Sequence, residues 1–129
     1  MLKLNKIHHV AIICSDYPKS KQFYSEILGL KIKNEVFREE RDSYKLDLEV
    51  NKQYQIELFS FPYPPARPSR PEAVGLRHLA FEVDDLDDAI YHINKYNVIV
   101  EPVRVDEFTG KRFTFFADPD GLPIELYEK

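Results

Sequence analysis

The chain holds one cysteine and no tryptophan, no long apolar run and no excess of basic residues. A single thiol, Cys14, cannot close an internal disulfide, so packing alone must hold the fold. It sits in an apolar, strand-like run, which marks it as a buried, inert side chain. No stretch approaches the roughly eighteen apolar residues of a membrane span. The opening residues, Met-Leu-Lys-Leu-Asn-Lys-Ile, lack the apolar core and small-residue cleavage site of a signal peptide. The expected address is therefore the cytoplasm. A net charge of −4 and a pI near 5.6 argue against nucleic acid as a partner, because phosphate binding needs a basic surface. What is present is that of a water-exposed globular chain: 129 residues, 43% hydrophobic and 31% charged, with nine Phe and eight Tyr as aromatic volume. That length suits one compact domain, or two small modules on a shared core.

The order of patterns is the same in both halves. Residues 7–14 are β-rich and apolar and read as a strand. Ser15-Asp16 then offers an N-cap, Pro18 falls in a first helical turn, and Phe23, Ile27 and Leu28 follow at helical spacing. Gly29 suits the left-handed position that ends a helix, so the pattern predicts a helix over 17–28. Strands follow at about 30–38, 43–50 and 53–60. In the second half a strand at 76–83 leads to Asp85 as N-cap and a helix over 86–96, whose Leu86, Ala89, Ile90 and Ile93 form one apolar stripe. Strands at about 98–105, 112–117 and 122–127 complete it, with Asp118-Pro119-Asp120-Gly121 as a tight turn. Each half thus reads β-α-β-β-β, module one at about 5–61 and module two at about 75–129, within one domain spanning 1–129. Between them the segment from Phe61 to Glu72 has five prolines in twelve residues and reads as a stiff linker, about 62–74.

The repeat also carries chemistry. His9-Val-Ala-Ile-Ile-Cys-Ser-Asp16 is matched by His78-Leu-Ala-Phe-Glu-Val-Asp-Asp85, and Ile56-Glu57-Leu58 by Ile124-Glu125-Leu126. His9 and Glu57 are 48 residues apart, His78 and Glu125 47. In a period-2 strand the flanking Ile and Leu point one way and the glutamate the other. A carboxylate on an enclosed sheet face is costly unless paired or bound to metal. A lone histidine on a strand is more often a core or surface residue than a ligand. Two His–Glu pairs at matching positions have no such bland explanation, and together they predict a metal site where the halves meet. Two imidazoles and two carboxylates suit Ni²⁺, Co²⁺, Mn²⁺, Fe²⁺ or Zn²⁺ with an expanded shell. A six-coordinate ion keeps positions open for substrate and acts as a Lewis acid on a carbonyl. His8, adjacent to His9, is expected on the opposite side and non-ligating, and His92 at the surface of its helix.

The quartet His9, Glu57, His78 and Glu125 on paired β-α-β-β-β modules resembles the vicinal oxygen chelate superfamily, and its His-Glu-His-Glu order resembles glyoxalase I. Phe23-Tyr-Ser-Glu-Ile-Leu-Gly-Leu30 and Asp118-Pro-Asp-Gly-Leu-Pro-Ile-Glu-Leu126 are characteristic of that superfamily. The stretch from Ile56 to Pro71 and Lys111-Arg-Phe-Thr-Phe-Phe-Ala-Asp118 are similar to the YaeR-type, glyoxalase I-like bacterial metalloproteins. The resemblance implies an α+β fold of two tandem modules in a curved, partly closed, eight-stranded barrel-like sheet. It implies one divalent metal ion bound by His9, Glu57, His78 and Glu125, and a metal-dependent lyase or isomerase. The substrate is a small α-oxo carbonyl compound or its thiol hemithioacetal, converted through a metal-stabilised enediolate. Glu125 is the first choice for the proton-moving base and Glu57 the second, in a protein expected to be a homodimer. Bacterial glyoxalase I enzymes carry a glutathione-holding arginine where this chain has Ile13, and an asparagine where it has Phe61. Losing such an arginine removes a strong charge-assisted contact. Phe61, Arg41, Arg67, Arg70, Lys111 and Arg112 are the alternative substrate contacts. Two rivals stay open: an Fe-dependent dioxygenase, and a non-catalytic module that sequesters a small molecule such as an antibiotic.

Overall fold

Alternation of apolar and polar residues builds the strands, and Pro, Gly and Asp punctuate them. A computed structural model describes residues 1–129, the side chains of Tyr54 and Gln55 excepted. The backbone packs as two units, Met1–Pro65 and Ala66–Lys129. The first contains β1 (His9–Cys14), α1 (Tyr17–Gln22), β2 (Lys31–Arg38), β3 (Ser43–Val50) and β4 (Tyr54–Ser60). Its sheet runs in the order β1-β4-β3-β2. β1 and β4 are parallel and the other pairs antiparallel. A parallel pair needs a long crossover, here the helix and the β2–β3 hairpin.

The helix starts as the sequence predicts, with the Asp16 carboxylate accepting from the Lys19 N–H at 3.1 Å and Pro18 in the first turn. The expected single helix over 17–28 changes character after Gln22, where Phe23–Ile27 form a π-helical turn. Leu28 N–H reaches back to the Phe23 carbonyl at 2.9 Å, and Leu30 N–H to that of Tyr24 at 3.0 Å. Gly29 makes the second bond possible by adopting φ +71°, a conformation that side chains with a Cβ disfavour. The wide turn leaves both Phe23 and Tyr24 buried.

Register assigns the two faces of this sheet. Ile12 pairs with Leu58, and Leu58 with Leu46, while Ile56 pairs with Leu48. All five are buried and share the core face with Cys14. The opposite face carries Ala11, Glu57 and Asp47 in one row, then Ile13, Phe59, Lys45 and Val36 in the next.

The second unit repeats this topology with β5 (Leu79–Val83), α2 (Leu86–Asn94), β6 (Arg104–Val105), β7 (Arg112–Ala117) and β8 (Pro123–Glu128), in the order β5-β8-β7-β6. Asp85 caps α2 by accepting from Asp88 N–H at 2.9 Å, and Leu86 and Ile93 are buried. Thr114, Phe116, Ile124 and Leu126 form the buried sheet face. The eight strands therefore make two open four-stranded sheets. The expected strand over 98–105 shrinks to two residues. Pro102 lacks the N–H a ladder needs, and Glu101 keeps one bond from its N–H to the Phe115 carbonyl at 3.0 Å. The proline-rich residues 61–78 contain neither helix nor strand.

The facial assignment predicts unequal costs. Leu58→Ala, in the core, should lower unfolding free energy by about 2–5 kcal/mol. Ile13→Ala, on the open face and 56% exposed, should change it by about 0.5 kcal/mol or less. Urea denaturation of the two variants checks this.

Candidate functional site

His9 opens β1, on the same face as Ala11, which is in register with Glu57. The imidazole and carboxylate therefore meet, with His9 Nε2 at 3.3 Å from Glu57 Oε2. Glu57 is 9% exposed. Its other oxygen faces Lys45, whose Nζ is 3.7 Å away and donates to Asp47 Oδ1 at 2.7 Å. The hydrogen bond with Asp47 lifts the Lys45 ammonium above the ordinary lysine value against desolvation, and Glu57 adds to the rise. His8 stays beside His9: their Nδ1 atoms are 2.9 Å apart and their rings meet edge to face. That contact occupies His9 Nδ1 and leaves Nε2 turned to Glu57.

The second pair is built in the same way from different neighbours. His78 directly precedes β5, and its Nε2 lies 3.6 Å from Glu125 Oε1. The ring of Phe115, whose residue is in register with Glu125, meets His78 edge-on at 5.1 Å. Both members line a cavity of about 890 Å³, together with Arg77, Arg104, Phe113 and Phe115. Arg104 lies over the Phe113 ring at 4.9 Å and is neutralised by Glu101 at 2.9 Å.

The four expected ligands thus appear as two His–Glu pairs, one in each unit. Among the described residues no group of three or more His, Cys, Asp or Glu gathers at one point. The other candidates are distributed. Phe61 stacks on Phe59 at 6.2 Å. Arg41 ends a short 3-10 turn between β2 and β3 and is exposed. Arg67 donates to the carbonyls of Leu76 and Arg77 at 2.6 and 3.1 Å and so clamps the proline-rich segment. Arg70 lines the cavity of the second unit and contacts Glu72 at 3.4 Å. Lys111 is exposed. Arg112 is engaged by Glu128 at 2.7 Å and Asp87 at 3.3 Å, which hold its guanidinium above and the Glu128 carboxyl below their usual values. Sequence reasoning did not single out Lys45 or Arg38, which share the face of His9 and Glu57. The only signal was alternation: Arg38 is two residues from Val36, and Lys45 two from Asp47.

Residues 6–126 match the model of the Glyoxalase/Bleomycin resistance protein/Dioxygenase superfamily. The chain belongs to this superfamily, the vicinal oxygen chelate proteins. The chain is 64% identical to the YaeR protein of Escherichia coli (strain K12) over the full length of both. It is 61% identical to YwkD of Bacillus subtilis (strain 168), covering 98% of each. The crystal structure of a glyoxalase family protein from Enterococcus faecalis superposes with a TM-score of 0.88 at 50% identity, over 95% of this chain and 97% of that one. More distant relatives include a 2-epi-5-epi-valiolone epimerase from Actinomyces sp, 26% identical over 93% of this chain and 77% of that one. Another is the metallothiol transferase FosB of Staphylococcus saprophyticus, 27% identical over 96% of this chain and 77% of that one.

The position of Arg67 gives a test of its structural role. Arg67→Ala should speed amide exchange across residues 66–78 and leave the strands of the second unit protected, as read by hydrogen–deuterium exchange. Equal acceleration in β8 would contradict a local clamp.

Proposed function

We propose that the chain is a metal-dependent lyase or isomerase of glyoxalase type, acting on a small α-oxo carbonyl compound or its thiol hemithioacetal. It works in the cytoplasm as a homodimer. One observation carries this reading: a His–Glu pair recurs at matching positions of two modules, with N–O separations of 3.3 and 3.6 Å. Two ligands bound to one ion at about 2.1 Å each stand roughly 3–3.4 Å apart. The His9–Glu57 pair meets that range and the His78–Glu125 pair exceeds it by a few tenths of an ångström, so such pairs suit a divalent cation. Two neutral imidazoles and two carboxylates would also balance its charge. His9, Glu57, His78 and Glu125 are the proposed ligands, and similarity to a metallothiol transferase supports both metal and thiol chemistry.

A divalent ion held there supplies Lewis acidity toward the oxygens of the substrate. The chain supplies the proton transfer. Glu125 takes the proton from the carbon bearing sulfur and hydroxyl and returns one to the adjacent carbon. The hydroxyl proton passes between the two oxygens, so the step is an internal isomerisation and needs no redox partner. Glu125 suits the task because it lines an open cavity beside His78, whereas Glu57 has the Lys45 ammonium at its second oxygen. Phe113 and Phe115 form an apolar part of that cavity's wall.

Elemental mass spectrometry of protein purified without chelator tests the metal. Wild type should carry a stoichiometric divalent ion and His78→Ala little. No metal in wild type, with no gain on adding Ni²⁺, Co²⁺, Mn²⁺ or Zn²⁺, would sink the reading and leave a binding module. Turnover of methylglyoxal with a panel of thiols then separates an enzyme from a protein that retains its ligand unchanged.

The contact between His8 and His9 adds a finer prediction. A ligating Nε2 requires the His9 proton on Nδ1, where His8 accepts it. His8→Ala should therefore weaken metal binding by about 10-fold or more, measured by competition with a chromogenic chelator. Unchanged affinity would remove His8 from the support of the site.

A further inference from the structure

Arg38 is the last residue of β2 and is in register with Ser43 on β3, on the face that carries His9 and Glu57. Ser43 is small and fully buried, which lets the long arginine side chain cross β3. Arg38 Nη2 donates to Ser43 Oγ at 2.7 Å on the way. The guanidinium then stands over β4, 4.8 Å from the ring centre of Phe59 and 5.6 Å from that of Phe61. Two aromatic faces orient a planar cation without cancelling its charge.

The counter-charge is what is missing. Arg104 has Glu101, Arg112 has Glu128 and Asp87, and Arg70 and Arg77 share Glu72. Among the described residues no carboxylate pairs with the half-buried Arg38, and its Nε is sealed from solvent without a hydrogen-bond partner. A partly desolvated cation without a counter-ion is unfavourable, and an oxyanion on its fork would relieve this through charge-assisted hydrogen bonds.

We propose that Arg38, seated on Phe59 and Phe61 and steadied by Ser43, is the receptor for an oxyanionic group, a carboxylate or phosphate, of the small-molecule substrate. Phe59 follows Glu57 by two residues on β4, a displacement of about 7 Å along the strand. Ile13, exposed and in register with Phe59, offers an apolar wall beside that path. The geometry suits a molecule carrying its oxyanion a few bonds from a carbonyl, or a thiol adduct whose thiol half brings the carboxylate. That the carbonyl end lies at the His–Glu ligands rests on the proposed metal reading; the oxyanion site does not.

The test uses full-length protein stripped of metal and two probes, pyruvate and inorganic phosphate, titrated calorimetrically. The arginine Nε–H signals are followed in parallel by ¹⁵N NMR. Wild type should bind at least one probe saturably and shift the Arg38 signal, which is assigned by its loss in Arg38→Gln. Preference for pyruvate assigns a carboxylate, and preference for phosphate a phosphate. Arg38→Gln should weaken binding by about tenfold or more, and Arg38→Lys by less, since it keeps the charge and loses the fork. Because the protein is stripped of metal, probe binding is read without any ion at His9, Glu57, His78 or Glu125, so failure of the metal reading leaves this one standing. Undiminished binding by Arg38→Gln with a native amide spectrum would overturn the proposal. So would the absence of saturable binding of either probe to wild type.

Discussion

Glu57 is a carboxylate set between Ile56 and Leu58, and the first module is organised by the need to keep these neighbours on opposite sides of a sheet. Ile56 and Leu58 are buried with Leu46, Leu48, Ile12 and the aromatic pair Phe23 and Tyr24. The glutamate, only 9% exposed, is left on the other side and is compensated there by His9 and Lys45. A slip of one residue in the β3–β4 register would send the carboxylate into the core and two aliphatic side chains out, so register and site are specified by the same constraint. Ile124-Glu125-Leu126 imposes it again on β8. Chemistry and packing share three consecutive residues, and neither can drift without the other.

The duplication is not symmetrical in its electrostatics. Asp47 stands opposite Glu57 and Phe115 stands opposite Glu125, while Lys45 and Phe113 occupy the next row. One glutamate therefore faces a lysine–aspartate ion pair and the other two phenyl rings beside a cavity. Equal histidine and glutamate positions with unequal neighbours allow two roles: a carboxylate tethered among charges serves as a fixed ligand, and one among rings is placed to reach a bound molecule. The proposed choice of Glu125 over Glu57 as base follows from this difference rather than from the repeat itself.

What depends on period was legible in the sequence. Strand alternation located both glutamates and their buried flanks, and Asp16, Asp85 and Gly29 marked helix ends through local hydrogen bonds and backbone conformation. The His–Glu pairing in each module was readable because the same spacing occurs twice. Features that depend on register across strands were not. Arg38 belongs with Phe59 only because Ser43 lies between them and is small, and no pattern within β2 reveals which residue of β3 it crosses. The same holds for Lys45, whose importance comes from a strand partner. The shortening of the strand before β7 was legible in principle, since Pro102 cannot donate to a ladder, but the apolar run around it concealed the break. The π-helical turn at Phe23 leaves no comparable mark, because the apolar spacing there fits a regular helix equally well.

Ile13 and Arg38 approach Phe59 from opposite sides. By resemblance, position 13 is where bacterial glyoxalase I holds an arginine on the first strand; here that position is an exposed isoleucine, in register with Phe59. A guanidinium instead reaches the same ring from the other edge of the sheet, across β3, and gains a second ring in Phe61. The aromatic pair is what makes that route workable, because an arginine spanning a strand would otherwise sample many rotamers, and its ordering entropy would offset the gain from binding an anion. Ile13 makes the first-strand side of this face apolar, and the positive charge beside Phe59 and Phe61 comes from the β2 side. On the proposed reading, a substrate reaching from Glu57 toward Arg38 runs diagonally across the sheet, from β4 toward β2, instead of along β1.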